Sequence, residues 1–152
     1  MNASKSKNIA GPTDLRLTGF SFEEGRLVAR IEGTLDASTA SDLDERFKSL
    51  LQTTPAGFLV DLGGVDYLSS MGLSILFKTV IRLKNNSVPC WFYDPQLSVR
   101  RVLQISKWDH LIIDAAAIKA NHPFFGYVCE QEPLRASRRS QSSAPPPRLI
   151  ND

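Results

Sequence analysis

The chain has 152 residues, 42% of them hydrophobic and 22% charged, with two cysteines and a formal charge of +2. A chain of this length buries roughly 70% of its unfolded surface, enough for one core without disulfides or a structural metal. No run reaches the roughly 18 apolar residues a membrane span needs, and the start MNASKSKNIAGPTD has no apolar signal core. Cys90 and Cys129 stand apart, with no spacing typical of a metal site, so they are expected as free thiols in a reducing cytoplasm. Residues 14 to 120 carry 12 Lys/Arg against 13 Asp/Glu, so the basic excess belongs to the two ends. A clustered basic face of the kind that binds nucleic acid is not indicated.

Residues 1–12 are polar and read as a flexible N-terminal segment; 13–122 read as the domain. Residues 123–152, rich in Pro, Ser and Arg, read as a disordered tail. Leu15, Leu17 and Phe20, then Leu27, Ala29 and Ile31, predict two strands joined through Glu23-Glu24-Gly25, an antiparallel hairpin. From Asp36 to Leu51 an amphipathic helix is predicted. Asp36, Ser38 and Thr39 are its candidate N-caps, and Ala40, Leu43, Phe47, Leu50 and Leu51 its buried stripe. The nearly all-apolar run Gly57 to Leu62 reads as a strand buried on both faces and central to the sheet, ending at Gly63-Gly64.

Ser70 to Lys84 carries the clearest helical pattern, with Leu73, Leu76, Val80 and Leu83 on one stripe and Lys78, Arg82 and Lys84 elsewhere on the surface. Asn85-Asn86 ends it. Val88 to Tyr93 predicts a strand with Pro89 at its start or at an edge, and residues 95 or 96 to about 106 a third helix with Arg100 and Arg101 outward. Leu111 to Ile113 predicts a last strand and Ala115 to Ala120 a short helix. Strands alternating with helices imply crossover units and a mixed, mostly parallel sheet of four to five strands with about four helices.

The segment with most chemical potential is Asp61-Leu62-Gly63-Gly64-Val65-Asp66-Tyr67-Leu68-Ser69-Ser70-Met71-Gly72, a strand end leading into a helix. A helix start has backbone N–H groups without intrahelical partners and a positive partial charge, so an anion such as a phosphate on Ser70 would be stabilised there. Local pattern alone also allows a plainer role, with Ser69 as cap and Ser70 as an ordinary first-turn residue. Gly72 could serve simply to let helix and sheet approach. Met71 fits either an exposed contact or a flexible core filler.

Gly33-Thr34-Leu35-Asp36, Leu59-Val60-Asp61-Leu62, Ser69-Ser70-Met71-Gly72-Leu73 and the segment Pro95 to Leu103 occur in the order and spacing of STAS domains of the anti-sigma factor antagonist type, which the chain resembles from about Asp14 to Ala120. The resemblance implies the STAS fold and a non-enzymatic switch protein without cofactor or metal. Its partners would be an anti-sigma factor that is also a serine protein kinase, and a phosphatase. By the same resemblance Ser70 is the phosphorylated residue, with Ser69 a lesser candidate, and Asp36, Asp66, Ser69, Ser70, Met71, Gly72 and Ser74 form the docking surface. Many family members have Asp where this chain has Ser69, and a small residue where it has Met71. Lys78, Arg82 and Arg100/Arg101 could flank that surface, although charges on outward helix faces are usually solvated.

Catalysis is not indicated by the motifs: there is no Gly-x-Ser-x-Gly elbow around the serines and no phosphate-binding glycine loop. His110 and His122 have no third ligand at recognisable spacing. The family offers two further roles, an unphosphorylated cytoplasmic subunit of an ABC-type transporter and a scaffold in a signalling assembly.

Overall fold

A computed structural model describes residues 15–142, with side chains to residue 137. Strand β1 (Leu15–Phe22) turns through Glu24 and Gly25, both at positive φ, into β2 (Arg26–Leu35). The two pair antiparallel from Leu15↔Gly33 to Phe22↔Arg26. Helix α1 (Ala37–Leu50) then crosses to β3 (Phe58–Leu68), α2 (Ser70–Asn85) to β4 (Cys90–Tyr93), and α3 (Leu97–Ile105) with a 3-10 turn (Asp109–Leu111) to β5 (Ile112–Ile113). The sheet runs in the order β1-β2-β3-β4-β5 and is parallel from β2 onward. The predicted class, mixed and mostly parallel with an N-terminal hairpin, is the observed one.

One face of the sheet buries Ala29, Ile31, Leu35, Phe58, Val60, Leu62 and Phe92 in a core with Leu43 and Phe47 of α1 and Leu76, Val80 and Leu83 of α2. Burial of such side chains, worth roughly 1.5–3 kcal/mol each, is what holds the helices on the sheet. Phe47 meets Phe58 edge to face at 5.9 Å. Along β3, Phe58 to Leu62 are all buried, as expected of a central strand between layers.

Two elements differ from the sequence reading. β3 does not stop at Gly63-Gly64 but continues to Leu68. The side chain of Asp61 accepts the Gly63 N–H at 3.0 Å, and at Gly64 a Cβ would meet the Glu32 side chain at 2.6 Å. The glycines therefore carry an irregular stretch of strand pairing, with register shifts between Arg30 and Glu32 and between Gly33 and Thr34, rather than a strand end. Ala115 to Ala120 is a run of turns, because the carboxylate of Asp114 takes the Ala116 N–H at 3.0 Å and its carbonyl the Ala117 N–H at 3.0 Å.

The chain divides at Ile113 and Asp114 into two compact units. The second contains helix α4 (Phe125–Ser142), which occupies most of the stretch read as a disordered tail. Its apolar residues Tyr127 and Val128, with Phe124 just before the helix, are buried. The Arg/Ser-rich composition that follows hides this short apolar cluster. Residues 143–152 and the 1–12 segment lie outside the described residues.

Candidate functional site

The parallel strands β2 and β3 end together, with Leu35 opposite Leu68. The Ser69 N–H donates to the Leu35 carbonyl at 2.8 Å, so the pairing continues to the first residue of the turn into α2. This brings the starts of α1 and α2 to one edge of the sheet, the place where crossover folds gather ligand-binding groups.

At the start of α1, Asp36 is the N-cap. Its Oδ1 accepts the N–H of Ser38 at 2.9 Å, the N–H of Thr39 at 3.3 Å and the Ser38 hydroxyl at 2.7 Å. Thr39 Oγ1 in turn accepts the Asp36 N–H at 3.1 Å, closing a capping box, and donates to the Thr34 carbonyl at 2.7 Å. The Ser38 hydroxyl, followed by the two backbone donors, holds the Asp36 carboxyl below its ordinary value of 3.8. An acid thus fills the positive end of α1.

At the start of α2 no acid occupies the first turn. Ser69 is the cap, accepting the Gly72 N–H at 3.1 Å. Ser69 is half-buried, whereas Ser70, the first helical residue, is exposed. Gly72 is buried: a Cβ there would lie 2.8 Å from both the Cβ and the carbonyl oxygen of Leu35. Glycine is what lets the helix start sit directly on the end of β2. Gly72 therefore seats the helix start on β2 and, unlike Ser70 and Met71, does not face solvent.

Met71, at 52% exposure, is a surface side chain and not a core filler, and Ser74 is exposed one turn on. Asp66 is exposed and held by the Thr34 hydroxyl, which donates to its Oδ1 at 2.9 Å. Asp36, Asp66, Ser69, Ser70 and Met71 thus gather at this edge, with Ser74 beside them on α2. Asp61 does not join them. It is fully buried, lying 3.7 Å from Arg30 Nε, and the Arg30 guanidinium lies over the Phe20 ring at 5.6 Å, so its charge belongs to the fold. Sequence reasoning missed Tyr67, 54% exposed on the strand just before the two serines. Regular alternation along β3 would have been its signal, but Val65 and Leu68 are buried with two exposed residues between them.

Gln96, the N-cap of α3, donates its Nε2 to the Gly63 carbonyl at 3.1 Å and ties the third helix start to β3. The two cysteines are free; burial pushes the Cys90 thiol up to about 12, leaving it inert at neutral pH. No helix among the described residues is long and apolar enough to cross a membrane.

Fold and site together define a small α/β domain in which the start of α2, capped by a neutral hydroxyl and bearing two serines, lies at the mouth of a parallel sheet. Residues 20–123 match the STAS domain, and the chain belongs to that family. It is similar in structure to anti-sigma factor antagonists. The unphosphorylated form of SpoIIAA shares 14% identity, the match covering 80% of this chain and 97% of that one with a TM-score of 0.59. The phosphorylated form of this Bacillus cell fate determinant shares 15% identity over 65% and 90% of the two chains, with a TM-score of 0.56. An anti-sigma factor antagonist from Mycobacterium paratuberculosis shares 22% identity over 67% and 86%, with a TM-score of 0.60.

Proposed function

We infer that this domain is a non-enzymatic switch: with Ser70 unmodified it binds an anti-sigma factor that is also a serine kinase, and phosphorylation of Ser70 releases it. The observation that carries the reading is the division of labour between the two serines. Ser69 is committed to the cap, while Ser70 stands exposed at the helix start with Met71 and Tyr67 on either side of the pair. Exposed apolar side chains beside a small hydroxyl make a surface that a partner can desolvate at little cost.

The kinase would transfer the γ-phosphoryl of ATP to Ser70 Oγ, with ADP leaving and the hydroxyl proton going to the kinase's base. The product carries about −1.5 to −2 charges at neutral pH. In the free domain the N-terminus of α2 accommodates such an anion. In a docked complex the same charge would be stripped of water beside Asp66, with nothing supplied to pair it, and binding is lost. A phosphatase would restore the hydroxyl. The likeness to the two forms of SpoIIAA, both of the same fold, supports a switch that acts through local charge rather than refolding.

The test is incubation of the protein with ATP and each anti-sigma factor of the serine-kinase type from its own genome, with mass-spectrometric mapping of the product. The expected result is one phosphate on Ser70, absent from Ser70→Ala, and weaker kinase binding by Ser70→Asp. Absence of label, together with copurification of a permease complex, would overturn the switch in favour of a transporter subunit.

A further inference from the structure

The far half of α2 carries a second exposed apolar surface, on the same helix stripe as Ser70 and Ser74 but two to three turns beyond Ser70. Phe77 and Ile81 are 50% and 40% exposed, and with Asp44, Lys48, Lys78 and Arg82 they line a groove of about 520 Å³ beside α1. Ile81 lies 11 residues along α2 from Ser70, about 16 Å at the helical rise of 1.5 Å per residue. Aromatic stacking ties Phe77 to the core. Phe77 stacks on Trp108 at 5.1 Å and 10° between planes, and Trp108 stacks on the core residue Phe92 at 5.8 Å.

Its rim is cationic. Asp44 Oδ2 lies 3.4 Å from both Lys48 Nζ and Lys78 Nζ, so the single carboxylate is shared by two ammonium groups. Three cations against one carboxylate leave two positive charges around an apolar floor. We propose that this groove docks an acidic amphipathic helix of a partner protein, its apolar stripe on Phe77 and Ile81 and its flanking carboxylates on Lys48, Lys78 and Arg82. Helix-in-groove recognition uses this combination of an apolar trough and complementary charges.

Charge and shape select this occupant over others. A second copy meeting the first by the same face would set like charges against each other across a two-fold axis. The chain's own ends do not match: residues 1–14 carry Lys5 and Lys7 against Asp14, and residues 143–152 carry Arg148 against Asp152, so neither is acidic. An anionic bilayer calls for apolar side chains that protrude and insert. Phe77 instead lies stacked flat on Trp108 in a shallow depression.

The experiment is to pan a phage-displayed library of random helix-length peptides on the full-length protein and measure the selected peptides by Trp108 fluorescence in a Trp91→Phe background. The expected peptides are acidic, with apolar residues at three- and four-residue spacing, and bind less tightly as salt rises. Ile81→Asp should weaken them about 30-fold and Arg82→Glu about tenfold. Both residues are on the exposed side of α2, so melting curves should show both variants folded. Ser70→Asp should bind unchanged, which separates this groove from the switch: loss of one leaves the other intact. Four results would overturn the proposal. They are the absence of enriched peptides, enriched peptides that are basic or neutral or ignore Ile81→Asp, a concentration-dependent dimer abolished by Ile81→Asp, and binding to phosphatidylglycerol vesicles abolished by it.

Discussion

Two helices begin side by side at the same end of the sheet, and their starts are built in opposite ways. At α1 a carboxylate, Asp36, sits on the positive end and a capping box closes around it. At α2 the cap is the neutral hydroxyl of Ser69, the first turn has no acid, and the next residue is an exposed serine. A helix start already filled by an anion has little to gain from another, whereas one capped by a neutral group remains receptive. Under the function proposed above, this difference assigns the charge-operated switch to α2 and leaves the start of α1 as a structural joint.

The largest effect should come from placing a permanent charge at the receptive start. Ser70→Asp is expected to weaken partner binding about a hundredfold, ~3 kcal/mol, because one carboxylate must then be desolvated unpaired in the complex. Isothermal titration with the kinase measures it, and the phosphorylated protein, with its greater charge, should bind more weakly still. Binding by Ser70→Asp equal to that of the unmodified protein would remove the functional contrast between the helices.

Next is the contact that fixes where the start of α2 sits. Gly72→Val would drive a side chain into Leu35, whose Cβ and carbonyl oxygen leave only 2.8 Å for a Cβ. Overpacking of this kind costs about 1–3 kcal/mol. Gly72→Ala should cost less, since alanine gains about 1 kcal/mol in helix propensity against the same clash. Urea midpoints for the two variants check the ranking. If alanine proved more stable than the native protein, the close approach would not constrain the helix.

The contrast between the two starts was partly legible in the sequence. Asp36 among three candidate N-caps, Ser69 as cap and the stripe Leu73, Leu76, Val80 and Leu83 follow from residue type and period, while Gly72 reads equally as a close-packing or a docking residue. Composition failed where a few apolar residues act within a polar stretch: Phe124, Tyr127 and Val128 anchor a segment whose serines and arginines read as unstructured. Pattern failed where the backbone is irregular. Gly63-Gly64 resembles a strand end, but pairing with β2 continues through Glu32↔Gly64 and Gly33↔Val65 with shifts in register, and Asp66 and Tyr67 beyond it are both exposed. Exposure of Phe77 and Ile81 could not be read either, since apolar residues at helical spacing ordinarily report a core.

A smaller effect separates the two serines. Ser69→Ala removes the acceptor of the Gly72 N–H and should lower stability by about 1 kcal/mol, the usual worth of such a cap. Ser70→Ala, exposed and without a capping role, should stay within about 0.5 kcal/mol of the native protein. Thermal unfolding of both variants decides it. Equal losses would mean that Ser70 shares the structural work and is not held in reserve for modification.

The smallest difference at neutral pH, and the most selective in acid, belongs to the closed start. Asp36→Asn keeps a side-chain oxygen that can accept the same donors but loses the charge, so the variant should melt only slightly below the native protein near neutrality. Hydrogen bonding holds the folded Asp36 carboxyl below 3.8, so its unfolded form binds the proton more readily. Its charged form therefore stabilises the fold at every pH above the ordinary carboxylate value. That contribution fades as pH falls through the lowered folded value. Asparagine has no proton to gain, so the native protein should lose melting temperature faster than the variant through this window. The other carboxylates titrate in both proteins, and the difference between the two curves isolates Asp36. Parallel curves would mean that charge adds nothing to the capping geometry, leaving α1 and α2 distinguished by shape alone.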